Sequence, residues 1–167
     1  MSLIPQHIRH QLPHALPAPR PCWIACPPFR SHVNLSRLVR LASSCGIRQI
    51  VTSGNNKIDA DIARDGIEHV HVERRRSLTP RLRELRADGF HLIGLEQTTA
   101  SKSLYEFRFP RQMVLVLGHE REGLDDTSIQ MMDDLIEIPV YGLPYSYNVV
   151  TAATMALYEY CKQFPDG

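Results

Sequence analysis

The chain has four cysteines, no long apolar run and a net charge of only +1. Cys22, Cys26, Cys45 and Cys161 are too few and too scattered for a disulfide framework; they fit reduced thiols in a cytoplasmic protein. Cys22 and Cys26 stand four apart with no second pair to complete a zinc site, so no bound metal is expected and both read as buried strand residues. No stretch approaches the length of a membrane span. Residues 1–20 hold no continuous apolar segment, so no secretory signal is expected in them.

Common catalytic signatures are missing too. Gly118 and Gly123 have phosphate-loop spacing, but Leu124 and Asp125 follow where that loop needs Lys and Ser or Thr. This disfavours a nucleoside triphosphatase. No G-x-G-x-x-G follows a strand, so a standard dinucleotide site lacks its fingerprint. No serine nucleophile elbow is found.

At 167 residues, 43% hydrophobic and 22% charged, the chain has the composition of one globular domain. Its charges are unevenly placed. Six arginines lie between Arg74 and Arg86, and acids gather at Glu120, Glu122, Asp125, Asp126, Asp133 and Asp134. The basic stretch reads either as a solvated helix face or as a phosphate-binding patch.

Pro5, Pro13, Pro17 and Pro19 prevent a regular helix across residues 1–20, which read as an extended arm; residues 21–167 read as the domain. Cys22–Cys26 reads as a strand. Leu35, Leu38, Val39 and Ala42 then recur at helical spacing, with Asn34 near the helix start and Gly46 at its end. IRQIVTSG reads as the second strand, residues 59–64 as a weak helix, and IEHVHVER as an alternating third strand. Ser77–Asp88 reads as a helix with a Leu78, Leu82, Leu85 stripe. FHLIGLEQ is the fourth strand, TTASKSLYEFRFPRQ a polar loop, and Met113–Leu117 the fifth strand. LDDTSIQMMDD reads as a capped helix and LIEIPV as the sixth strand. The final helix is predicted from Ser146 to Gln163, apolar over more than one stripe and so covered on two sides. Alternating strands and helices give an α/β fold with a largely parallel sheet. Ligands bind such sheets beyond the carboxyl ends of the strands.

Three segments carry a further signal: NLSRLVRLASSCGI, LVLGHEREGL and IPVYGLPYSYNVVTAATMALYEY. In this order they resemble the three motifs of the SpoU (TrmH-type) branch of the SPOUT RNA methyltransferases. The likeness spans roughly Cys22 to Phe164. It is strongest to the members that methylate the ribose of tRNA guanosine 18. The resemblance implies a Rossmann-like sheet with a C-terminal trefoil knot, S-adenosylmethionine as methyl donor, an RNA substrate (tRNA or ribosomal RNA) and a homodimer. A non-catalytic RNA-binding member of the fold is the alternative.

Position by position, the resemblance assigns catalytic roles to Asn34, Arg40, Glu120, Ser146 and Asn148. It places the methyl donor among Leu117, Gly118, Glu120, Ile138, Val140, Ser146, Asn148 and Val149. Tyr147 stands where the family usually has a small apolar residue, and Pro144 where an Arg is common. An arginine with a reference pKa above about 12 is a demanding general base, so Arg40 is better read as stabilising the developing alkoxide and gripping a phosphate. Arg30, Arg37, Arg74, Arg75 and Arg76 are the candidate RNA-backbone contacts, joined by Arg108.

Overall fold

The computed structural model describes residues 4–167. The first three residues of the expected arm lie outside the described residues. From Ile4 to Arg20 the arm has no helix or strand, and most of it is exposed. Its end is anchored: buried Arg20 donates from Nε to the Cys45 carbonyl (2.8 Å) and from Nη1 to the Phe164 carbonyl (2.5 Å).

The elements run β1 (Cys22–Cys26), α1 (His32–Ser44), β2 (Gln49–Ser53), α2 (Ala60–Ala63), α3 (Gly66–His69), β3 (His71–Arg75), α4 (Leu78–Ala87), β4 (His91–Leu95), β5 (Lys102–Ser103), β6 (Met113–Leu117), α5 (Asp126–Met131), β7 (Asp134–Glu137) and α6 (Val149–Gln163). The strands form one sheet in the order β3-β2-β1-β6-β4-β7-β5, and each pairing is parallel.

β6 shows why the sheet is covered on both faces. Side chains alternate along a strand. Met113, Leu115 and Leu117 enter one core with Leu35, Leu38 and Val39 of α1 and Ala153, Ala156 and Leu157 of α6. Val114 and Val116 enter the other with Leu82 and Leu85 of α4 and Leu124. A strand buried on both faces must be apolar at every position, and MVLVL is.

Four sequence expectations are corrected. IEHVHVER is not one strand: residues 66–69 form a helical turn, and β3 starts only at His71. Gly66 sits there against the α1 backbone, where a Cβ would lie 3.0 Å from the Val39 carbonyl oxygen. The loop after β4 is not simply polar. It holds the edge strand β5 and buries Leu104, Phe107 and Phe109 against α6. Phe107 and Phe109 meet edge to face at 4.9 Å, and Phe109 meets Tyr160 at 5.9 Å. The sixth predicted strand stops at Glu137, leaving Ile138 and Val140 in the following loop. The final helix begins at Val149, not Ser146, with Asn148 as its cap. Only one of its faces is buried in this chain, since Thr151, Thr154, Tyr158 and Lys162 are exposed.

α6 is tied to the loop between β4 and β6 by polar contacts as well. Tyr160 Oη donates to the Arg111 carbonyl (2.7 Å). Gln163 accepts from the Phe109 N–H (2.9 Å) and donates to the Phe107 carbonyl (2.9 Å). Among the described residues no helix is long and apolar enough to cross a membrane.

Candidate functional site

The carboxyl ends of β4, β6 and β7 open into a cleft of about 210 Å³. Its walls are the hairpin after β6 and the loop from Ile138 into α6. Of the expected donor contacts, Leu117, Gly118, Glu120, Ile138, Val140, Ser146 and Val149 line it. Asn148 does not. It acts one step back, its Oδ1 accepting from the N–H groups of Val150 (2.9 Å) and Thr151 (3.4 Å) and so fixing the start of α6.

The first wall is a closed hairpin. His119 and Gly123 exchange backbone hydrogen bonds of 3.0 Å each way. Gly123 turns the chain at φ 68°. Gly118 is needed because the strands of this hairpin nearly touch: a Cβ there would lie 2.5 Å from the Gly123 carbonyl carbon and 2.7 Å from the Leu124 nitrogen. Gly118→Ala is therefore expected to force the hairpin open. The expected result is a donor affinity at least tenfold weaker, checked by calorimetry, with stability lowered by about 1–3 kcal/mol.

Glu120, on this hairpin, reaches back to the start of α1. Its Oε2 accepts from the Arg30 N–H (2.9 Å), and its Oε1 accepts from the Ser31 N–H (3.2 Å) and from Asn34 Nδ2 (3.0 Å). Ser31, the N-cap of α1, makes no side-chain cap bond of its own. A carboxylate ninety residues away in sequence supplies the capping instead. Partial burial works against the charge, but these three donors hold the Glu120 carboxyl below its ordinary value. Asn34, near the helix start as expected, is not the cap, which is Ser31. Asn34 lies inside the first turn, 3% exposed, and its amide orients Glu120.

Sequence reasoning missed Glu96 and Gln97, just after β4. Glu96 Oε2 accepts from the Leu124 N–H (2.8 Å), and the same oxygen occupies the space where a Gly123 Cβ would stand, at 2.2 Å. Gln97 Nε2 donates to the Tyr145 carbonyl (3.3 Å), which steadies a residue held at φ 81°. The end of β4 thus braces both walls. The signal was available: both residues close the predicted fourth strand, at the carboxyl end where such sheets bind ligands.

Arg40 is not brought to the cleft. It is exposed on α1, and among the described residues its side chain makes no hydrogen bond or ion pair. Arg30, just before α1, and Arg37, on it, are exposed too. Arg74, Arg75 and Arg76 line a second hollow with Gly54 and Asn55, beyond the ends of β2 and β3. Within it Arg74 is pinned to the carbonyls of Gly54 (3.4 Å) and Asn56 (2.9 Å), and Arg75 pairs with Glu73. Two other arginines of the basic stretch are engaged, while Arg83 is exposed. Arg81 pairs with Glu73 and stacks on Trp23 at 4.9 Å, and Arg86 pairs with Asp133.

The comparisons with known proteins point one way. Residues 23–158 match the model of the SpoU rRNA Methylase family. Over 82 residues, 49% of this chain and 5% of the relative, the chain is 40% identical to the mouse (Mus musculus) tRNA (guanosine(18)-2'-O)-methyltransferase TARBP1. The crystal structure of the TrmH/SpoU tRNA modifying enzyme of A. aeolicus superposes with a TM-score of 0.83 at 24% identity, covering 89% of this chain and 78% of that one. The SpoU methyltransferase AviRb of Streptomyces viridochromogenes, in complex with the cofactor AdoMet, superposes with a TM-score of 0.74 at 22% identity, covering 91% and 64%. The chain spans between 5% and 64% of the length of the first curated relatives it matches. With its family model matched over residues 23–158, most of its length, the chain belongs to the SpoU rRNA Methylase family.

Proposed function

We propose that this chain is the catalytic domain of an RNA 2′-O-ribose methyltransferase that uses S-adenosylmethionine. The observation that carries the reading is the joining of the three motifs: the second and third line one cleft, Glu120 ties the second to the first, and Gln97 ties the strand beside it to the third. A tRNA is the proposed substrate class and guanosine 18 the proposed nucleotide, on the printed activity of the mouse relative.

The residues present suit the donor. Leu117, Ile138 and Val149 offer apolar walls to an adenosyl group, and the backbone around Gly118 and Val140 offers polar edges. Ser146 and Gln97 stand at the same cleft for the charged methionyl end. When bound, the donor supplies an electrophilic sulfonium methyl, so the reaction itself asks for no metal. The protein must then hold an incoming ribose hydroxyl in line and stabilise its developing negative charge. Arg40 is the proposed cation for that charge. Since Arg40 stands away from the cleft of its own chain, a homodimer is the arrangement that supplies it. The open face of α6, carrying Tyr158, is the proposed contact.

A trefoil knot is proposed as well. Its support is that α6 is hydrogen-bonded to the loop joining β4 to β6, through Tyr160 and Gln163. Arg30, Arg37, Arg74, Arg75 and Arg76 are proposed to position the RNA backbone, because they lie on the sheet end where the cleft opens. The four free cysteines suit a reducing, cytoplasmic setting.

Transfer of labelled methyl from the donor to unmodified tRNA tests the reading, followed by mass-spectrometric mapping of the modified nucleotide. Transfer to ribosomal RNA alone would reassign the substrate. Donor binding with no transfer to any RNA would reduce the chain to a binding member of the fold.

A further inference from the structure

Cys45 and Cys161 stand outside the cleft and take no part in the proposed chemistry. Cys45 is the C-cap of α1, and Cys161 lies in the last turns of α6. The two are 116 residues apart in sequence, yet Cys161 Sγ lies 3.8 Å from the Cys45 carbonyl oxygen. Both are only partly buried, unlike Cys22 and Cys26, which are sealed in the core. Arg20 lies beside the pair, its Nε donating to the same Cys45 carbonyl.

We propose that Cys45 and Cys161 form an oxidisable dithiol that closes to a disulfide when the protein meets a peroxide. The Cys161 thiolate attacks the peroxide oxygen, the O–O bond breaks, and hydroxide leaves; sulfur is oxidised to a sulfenic acid. The Cys45 thiol then attacks that sulfur, the S–S bond forms, and water leaves. One peroxide is reduced to two waters and both thiols lose their hydrogens.

The surroundings favour Cys161 as the attacking sulfur. Its pKa is lowered to about 7, first by a hydrogen bond from the Cys45 thiol and then, against the opposing effect of burial, by the Arg20 guanidinium. Cys45 is shifted the other way by the same contact and by burial, so it stays protonated as the resolving thiol. Cys22, the third thiol nearby, is held fully protonated by burial.

The bridge would tie the end of α1 to the end of α6. It closes a loop of more than a hundred residues, the case in which a cross-link restricts the unfolded chain most. It lies twelve residues along α6 from Val149, about 18 Å at helical rise, so it leaves the cleft open. Oxidation therefore protects the fold without blocking donor binding.

The test is hydrogen peroxide treatment of the whole chain, followed by non-reducing peptide mapping and thermal unfolding. The expected result is a Cys45–Cys161 linked peptide, a melting temperature raised by about 5–10 °C, and reversal of both by a dithiol reductant. Cys161→Ser and Cys45→Ser are each expected to abolish the linked peptide and the rise. Should a variant fold poorly, the alkylation rates of the untouched protein decide the matter: Cys161 must react fastest of the four thiols. A bridge to Cys22, sulfinic acid without a bridge, an unchanged melting temperature, or Cys161 no faster than the others would overturn the proposal.

Discussion

Replacing Arg40 with alanine is expected to lower methyl transfer by about 10²–10³-fold while donor affinity stays within about twofold, the effect of removing one cation from a developing oxyanion. The reasoning starts from position. The exposed Arg40 side chain makes no hydrogen bond or ion pair among the described residues, so its loss costs the fold little. It does not line the donor cleft, so donor binding has no reason to change. What remains is the RNA, met either directly or at the cleft of a second copy. Single-turnover kinetics, with donor affinity measured separately, check this. Arg40→Lys keeps the charge but loses the planar fork, and is expected to recover only part of the rate. Full turnover in the alanine variant would remove Arg40 from the chemistry.

Glu120→Ala is expected to show the opposite pattern: a loss of stability of about 2–3 kcal/mol together with weakened donor binding. The substitution orphans the N–H groups of Arg30 and Ser31 and the Asn34 amide at the start of α1. It also frees the hairpin that forms one wall of the cleft. Urea unfolding at neutral pH measures the loss.

The pH dependence gives a second reading of the same contact. The Glu120 carboxyl is held below its ordinary value of 4.5 in the folded chain. A depressed carboxyl stabilises the fold above the unfolded value and loses that contribution as pH falls through the folded one. The parent protein should therefore lose stability below pH 4.5. Glu120→Gln should be less stable at neutral pH and flatter in that acid window. Glu73, Asp133 and Asp134 are held low by their cationic partners and titrate there too, so the difference between parent and variant is the diagnostic quantity. Parallel acid curves for the two would show that Glu120 is not the cap of α1.

Much of the fold was legible because burial follows local rules. A strand buried on both faces reads as MVLVL, and a helix with one buried stripe reads as Leu35, Leu38, Val39 and Ala42. Glycines at φ 72° and 92° marked the ends of α1 and α4. The misreadings have local causes as well. IEHVHVER alternates like a strand, but Gly66 must pack flat on α1, and tertiary contact overrode the pattern. The loop after β4 looked polar because its three buried aromatic and aliphatic anchors are spaced by charges, with no period to betray them.

The α/β class, the carboxyl-end location of the cleft and most of its lining were legible along the chain. These depend on periodicity and on motifs read in order along the chain. What each site residue touches became visible only in the folded chain. Whether Glu120 faces a ligand or caps α1, whether Asn34 is a cap or a strut, and whether Arg40 meets its own cleft are questions of through-space distance. Those distances span tens of residues of chain, and no local pattern encodes them. The same holds for Glu96 and Gln97, two ordinary polar residues until β4 places them between the two walls, and for Cys45 and Cys161, which the packing of α6 on α1 brings together.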